Sequence, residues 1–94
     1  MPEVFRLLPS TRFKRDFEEI YKRNRAIARQ IETLKIILLH DPYNRSRRYD
    51  IKKLKDVPQG EGQYRIRSGK YRLRYDIDGD DVILYSFKHR KEAY

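Results

Sequence analysis

Over the first forty residues the apolar positions recur with a helical period. Phe13, Phe17, Ile20 and Tyr21 fall at i, i+4, i+7 and i+8, and Ile27, Ile31, Leu34 and Leu38 repeat the stripe. Such spacing keeps apolar side chains on one face of a 3.6-residue turn, so two amphipathic helices are predicted. Ser10 or Thr11 can cap the first and Asn24 the second, while Pro42, after His40 and Asp41, forbids further helix. Ahead of them, "VFRLLPS" reads as a short strand ended by Pro9 and Ser10. Core packing explains both stripes, and the macrodipole explains a histidine at a helix end such as His40.

From Tyr43 to Gly62 the period is lost in "YNRSRRYDIKKLKDVPQGEG", a basic connection with one short structured piece around Ile51 to Leu54. Strict alternation then resumes, as in strands. The order predicted is β-α-α-β-β-β. This is an α+β fold, a single domain over residues 1–94, with two N-terminal helices on one face of a mostly antiparallel sheet.

A hairpin about Ser68-Gly69 would set Arg67 opposite Lys70, Ile66 opposite Tyr71, Arg65 opposite Arg72 and Tyr64 opposite Leu73. Tyr64, Ile66, Tyr71, Leu73, Tyr75 and Ile77 then share one face, available to the helices. Arg65, Arg67, Lys70, Arg72 and Arg74 share the other. For the last strand, "DVILYSFKHR", parity decides. A two- or four-residue loop at Asp78-Gly79 puts Ile83, Tyr85, Phe87 and His89 on the basic face and Val82 and Leu84 in the core; an odd loop exchanges the sets.

Charge gives that basic face its meaning. The 94 residues carry a formal net charge of +9, divided as +4 over 1–40, +7 over 41–75 and −2 over 76–94. Polyanions or an acidic protein are the expected partners, with a membrane surface as a further option. No 18-residue apolar run is present, and "MPEVFRLLPS" lacks the features of a signal peptide, so a cytoplasmic protein is expected. With no cysteine and two histidines, neither a metal site nor a cofactor is expected. Long basic side chains can simply splay into water. An ordinary solvated face mixes signs, however, and Asp76 is the one acid on this face of the two central strands. Like charges on paired strands repel, so a polyanion across the face is predicted; with an even second loop Tyr85 and Phe87 would add stacking surfaces for single-stranded RNA, and with an odd one they are core.

The stretch "YRIRSGKYRLRYDIDGDDVILYSFKHRKEAY" resembles the RelE/ParE superfamily of bacterial and archaeal toxins, in particular its RelE branch. It carries the Y-[KR]-[IV]-[KR] strand, the tight turn, the G-x-Y-R-x-x-Y strand and a basic segment ending in tyrosine; "KKLKD" is similar to the family's K-L-x-G region. The resemblance implies a toxin that cleaves mRNA in the ribosomal A site without a metal, neutralised by a small acidic antitoxin. Such chemistry uses the 2′-hydroxyl as nucleophile and needs a proton acceptor, cations around the phosphorane and a donor for the leaving 5′-oxygen. Carried over by motif, Arg72 is the arginine of G-x-Y-R and faces transition-state charge, with Arg65 beside it. Arg90 or His89 matches the basic residue near the end, and Tyr94 the terminal tyrosine that stacks on substrate.

This chain has arginines at 65 and 67 where RelE has lysines, and arginine does not deprotonate, so neither is a general base. Histidine is the residue type suited to proton transfer at physiological pH, so His89 is a candidate acid or base. Lys52, Lys53 and Lys55 are the other candidates, and contact with ribosomal RNA is expected of Lys53 and Lys55, together with Arg67, Lys70 and Arg74. The same superfamily scaffold hosts ParE-like gyrase poisons. Two alternatives follow: a gyrase inhibitor, and a basic RNA- or ribosome-binding module without activity.

Overall fold

The periodic segments fold as their spacing predicts. The computed structural model describes residues 4–92. Its elements are β1 (Arg6–Pro9), α1 (Thr11–Arg23), α2 (Ile27–His40), β2 (Ile51–Lys53), β3 (Tyr64–Ser68), β4 (Tyr71–Asp78) and β5 (Asp81–His89). Ser10 caps α1, its hydroxyl accepting the Phe13 N–H at 3.0 Å. Asn24 departs from expectation. Its N–H closes α1 on the Ile20 carbonyl at 2.9 Å, and α2 starts without a side-chain cap.

Five strands form one sheet in the order β1-β5-β4-β3-β2, with β1 parallel to β5 and every other pair antiparallel. The expected α+β layering holds, with one strand more than the alternation revealed. That strand, β2, is three residues long, too short to show a period. Ile27, Ile31, Leu34 and Leu38 of α2 and Phe13 of α1 pack on Ile66, Leu73, Tyr75, Val82, Leu84 and Phe87. Each such side chain contributes about 1.5–3 kcal/mol by leaving water. Fully buried Tyr75 donates its hydroxyl to the Pro42 carbonyl at 2.6 Å, tying the sheet to the end of α2. Burial pushes its pKa above the usual tyrosine value, and the nearby Tyr64 and Asp41 add to the shift.

Both hairpins correct the register in detail. Ser68 pairs with Tyr71, so the first loop is Gly69-Lys70, one residue later than predicted. The reason is steric. A Ser68-Gly69 loop of type I′ would force the serine to positive φ, whereas Gly69 in the first central position adopts φ +58° without a Cβ penalty, the type II′ pattern. Moving the loop by one residue takes Lys70 into the turn, leaves the strand residues on their predicted faces and changes their partners.

In the second hairpin Asp78 pairs with Asp81, a two-residue loop, and Val82 and Leu84 enter the core. A β-bulge follows. Tyr75 opposes Leu84 while Arg74 opposes Ser86, leaving Tyr85 unopposed and reversing the parity beyond it. Phe87 is therefore core and His89 lies on the helix side, where an even loop alone would have put both with the arginines.

Past Pro9 the outer edge of β5 has no strand partner and is covered by α1. Ser10 donates its hydroxyl to the Tyr85 carbonyl at 3.0 Å, and buried Asp16 accepts the Phe87 N–H at 3.1 Å. Among the described residues no helix is long and apolar enough to cross a membrane.

Candidate nucleic-acid interface

Register sets the basic side chains in two rows on the face away from the helices. Arg67, Arg72 and Lys88 form one, and Lys52, Arg65, Arg74 and Ser86 the other. The predicted Arg65–Arg72 opposition is replaced by Arg65–Arg74 and Arg67–Arg72. Lys70, expected on this face, sits exposed in the turn instead.

Crowded guanidinium groups need some offset, and this fold supplies part of it from within. Asp50, just before β2, accepts from Arg65 Nη2 at 3.2 Å and from Arg67 Nε at 2.6 Å. One carboxylate thus serves two arginines, which corrects the expectation that a bound polyanion alone relieves the repulsion. The loop before it is braced locally: Asn44 exchanges two hydrogen bonds with the Tyr49 main chain, and Asp41 accepts from the Arg45 and Ser46 N–H groups and the Ser46 hydroxyl. Those bonds outweigh the upward pull of burial and hold the Asp41 carboxyl below its ordinary pKa.

Among the described residues the β4 arginines have no carboxylate partner. Arg74 donates to the carbonyls of Gly62 at 3.1 Å and Glu61 at 2.7 Å, with its guanidinium 5.6 Å from the Tyr85 ring centre. Those same two peptide units reach Asp76 from their other side. The buried Asp76 carboxylate accepts the N–H groups of Gly62 at 3.0 Å and Gln63 at 3.1 Å, and that of Gly60 at 3.1 Å. Two aligned peptides therefore join Asp76 to Arg74 and fix the guanidinium without an ion pair. Glycine is required in that bridge, because at Gly62 (φ +75°) a Cβ would come within 2.9 Å of the Arg74 Cβ and 3.0 Å of Tyr85.

Arg72 is the most enclosed of the four, 9% exposed, with Nη1 donating to the Gly69 and Tyr71 carbonyls and Nε without a hydrogen-bond partner. A buried guanidinium with a donor left over and no countercharge is unfavourable unless something else pairs with it. With Arg74 it separates two concavities. One, about 640 Å³, is lined by Lys52, Lys53, Leu54, Lys55, Val57 and Arg65. The other, about 170 Å³, is lined by Arg12, Tyr85, Ser86, Lys88 and Glu92. Cations, an aromatic ring and apolar Leu54 and Val57 suit a chain of phosphates carrying planar bases.

Not every predicted residue joins this cluster. The Lys53 ammonium lies 5.8 Å from the Tyr64 ring centre on the helix side, and Lys52 takes the place opposite Arg65. His89 packs edge-on against Tyr71 at 5.5 Å, across the sheet from Arg72, and its Nδ1 accepts the Lys91 N–H at 3.2 Å. Arg90 is exposed beside the first hairpin, its N–H bonded to the Lys70 carbonyl at 2.7 Å. Lys55 borders the larger groove. Tyr94 lies outside the described residues.

Three contributors escaped the sequence reading, whereas Lys52, already a candidate, gains its place from the register of β2. Lys88, ion-paired to Asp16 at 2.9 Å, depended on the bulge. Asp50 sat in a run that reads as irregular. Arg12 reaches from α1 to within 5.0 Å of the Tyr85 ring centre, which no local pattern signals.

These features have counterparts in known proteins. Residues 7–94 match the sequence model described as the ParE toxin of the type II toxin–antitoxin system parDE, and the chain belongs to this family, within the RelE/ParE superfamily. Toxin RelE3 of Methanocaldococcus jannaschii is 42% identical over 45 residues, 48% of each chain, so the match spans about half the length of that relative. Among solved structures, the toxin–antitoxin complex RelBE2 from Mycobacterium tuberculosis aligns with a TM-score of 0.69 and 25% identity over 93% of this chain and 99% of that one. The RelB–RelE complex from Methanococcus jannaschii aligns with a TM-score of 0.56 and 27% identity, covering 93% and 94%. A copper-bound mutant toxin from Helicobacter pylori shares the fold at 18% identity, with a TM-score of 0.63.

Proposed function

We propose that this toxin is a ribosome-dependent endoribonuclease that cuts translated mRNA in the ribosomal A site, within the cytoplasm, and that a small acidic antitoxin holds it in check. The observation that carries the reading is Arg72, a nearly buried guanidinium with an unpartnered Nε on the wall between two basic clefts. A phosphorane carries more negative charge than the phosphodiester it forms from, so an arginine fixed before substrate arrives favours the transition state over the ground state.

In the proposed step the 2′-oxygen bonds to phosphorus as the bond to the 5′-oxygen breaks and that oxygen takes a proton from water, leaving a 2′,3′-cyclic phosphate and a 5′-hydroxyl. Arg72 and Arg74 hold the phosphoryl oxygens. Register places two amines on this face, Lys52 and Lys88; Lys88 is paired to Asp16, so Lys52 is the first candidate to take the 2′-hydroxyl proton. RelB-type partners in the two related complexes support the antitoxin assignment.

Ribosomes programmed with a defined mRNA and incubated with the toxin should yield new 5′ ends at one position, and a 2′-deoxy nucleotide there should abolish them. Cutting of the deoxy substrate would exclude the 2′-hydroxyl route. The matched family's ParE name favours a second reading, a gyrase poison. Inhibited supercoiling with translation intact would select it.

A further inference from the structure

The first row of cations is closed by a carboxylate at each end, and the two carboxylates are built differently. At the β5 end, Asp16 pairs with Lys88 while its other oxygen accepts the Phe87 N–H; its side chain is 9% exposed. It is part of the fold. At the β2 end, the Asp50 side chain is 48% exposed and, among the described residues, its carboxylate accepts from Arg65 and Arg67. The Arg65 side chain is 11% exposed, but Arg67 and Asp50 are about half exposed at 47% and 48%, and ion pairs open to water in this way are weak and exchange with solvent ions.

We propose that the Arg65–Arg67 fork is a phosphate site beside the one at Arg72, and that Asp50 is its internal occupant, which a backbone phosphate of the bound RNA displaces. The proposal rests on the reading of this protein as an RNA-binding toxin and adds a second contact to it. Two oxygens of one anionic group already bridge the two guanidiniums, the same demand a phosphodiester makes with its two non-bridging oxygens. Arg67 also stands directly opposite Arg72, so consecutive phosphates of one strand can occupy the two sites. Displacement leaves the local fold in place, because the Arg67 N–H keeps its 3.0 Å bond to the Asp50 main-chain carbonyl. Asp50 then acts as a selectivity device: single mobile anions compete with a tethered carboxylate, whereas a polyphosphate chain anchored at Arg72 does not lose that competition.

The test is binding of a fluorescent single-stranded RNA, 2′-O-methylated so that it is not cut, to the full chain over a range of potassium chloride. Asp50→Asn is compared with Asp78→Asn, which removes an equal charge from the exposed end of β4. Asp50→Asn should tighten binding beyond the control and steepen the slope of log K against log salt by about 0.7, one further phosphate on a single strand. Adding Arg67→Gln should cancel the gain, and Asp50→Glu should keep the parental slope. Equal effects of the two Asn variants, or weaker binding by Asp50→Asn, overturn the proposal. A parallel titration with inorganic tripolyphosphate separates the two levels. Tighter tripolyphosphate binding by Asp50→Asn without RNA binding by any variant keeps the anion site and removes the RNA reading. Cleavage by the parent with Asp50→Asn matching the control does the reverse.

Discussion

Strand β4 is buried on both faces, by opposite means. Toward the helices, Leu73 and Tyr75 are fully enclosed among apolar side chains; away from them, Arg72 and Asp76 are 9% and 2% exposed yet polar. The first face is satisfied by contact area, the second by main-chain hydrogen bonds from the loop at 60–63 and the hairpin turn. Depth of burial therefore does not separate scaffold from site in a protein this small. What separates them is countercharge. A guanidinium held by carbonyls is immobilised by dipoles and keeps its full charge for a ligand, while a side chain such as Tyr75 has nothing left to offer.

Substitutions on the two faces should accordingly move different measurements. The largest effect is expected from Arg72→Met, which keeps the volume and removes the charge. Cleavage on programmed ribosomes should fall about 10²–10³-fold, while the melting temperature stays level or rises because an undercompensated buried charge is gone. A matching loss of stability would place Arg72 with the scaffold. Next comes Asp76→Ala, which strands three N–H groups and should cost about 3 kcal/mol in urea unfolding. It should also lower cleavage through the loosened hold on Arg74.

The smallest effect belongs to the covered face. Tyr75→Phe loses one buried hydrogen bond, about 1 kcal/mol at pH 7, with cleavage unchanged. Its pH dependence has a definite sign. The folded pKa of Tyr75 is raised above 10.0, so the contribution is complete below pH 10 and lost above it, where the unfolded chain releases a proton that the native chain retains. The parent should lose about 1.4 kcal/mol relative to Tyr75→Phe by one unit above that value, reversing their order near pH 11. Parallel curves would show that this hydroxyl ionises freely in the folded state.

Much of this was legible in the chain. Both helical stripes and the face membership of the β3 and β4 strand residues follow from period alone, while period leaves the length of the second loop open between even and odd. Three things were not legible. Moving the first loop by one residue turns on whether Ser68 tolerates positive φ, a local preference that leaves the alternation untouched. The bulge at Tyr85 has no glycine to announce it, and it becomes necessary only because β5 exchanges a strand neighbour for a helix past Pro9. Asp50 looked like one acid in a basic loop, since its place opposite Arg67 depends on a strand too short to declare itself. Face and sign are properties of a pattern, whereas pairing partners are properties of an assembled sheet.

The unopposed Tyr85 works as a phase change in the middle of a strand. Upstream of it, the outer edge of β5 is laced to a parallel neighbour; downstream, that edge is held by α1 through Asp16, while β4 pairs with both lengths. One strand thus answers to two supports along a single edge, turning Ser86 and Lys88 toward the arginines at one end while keeping β1 in register at the other.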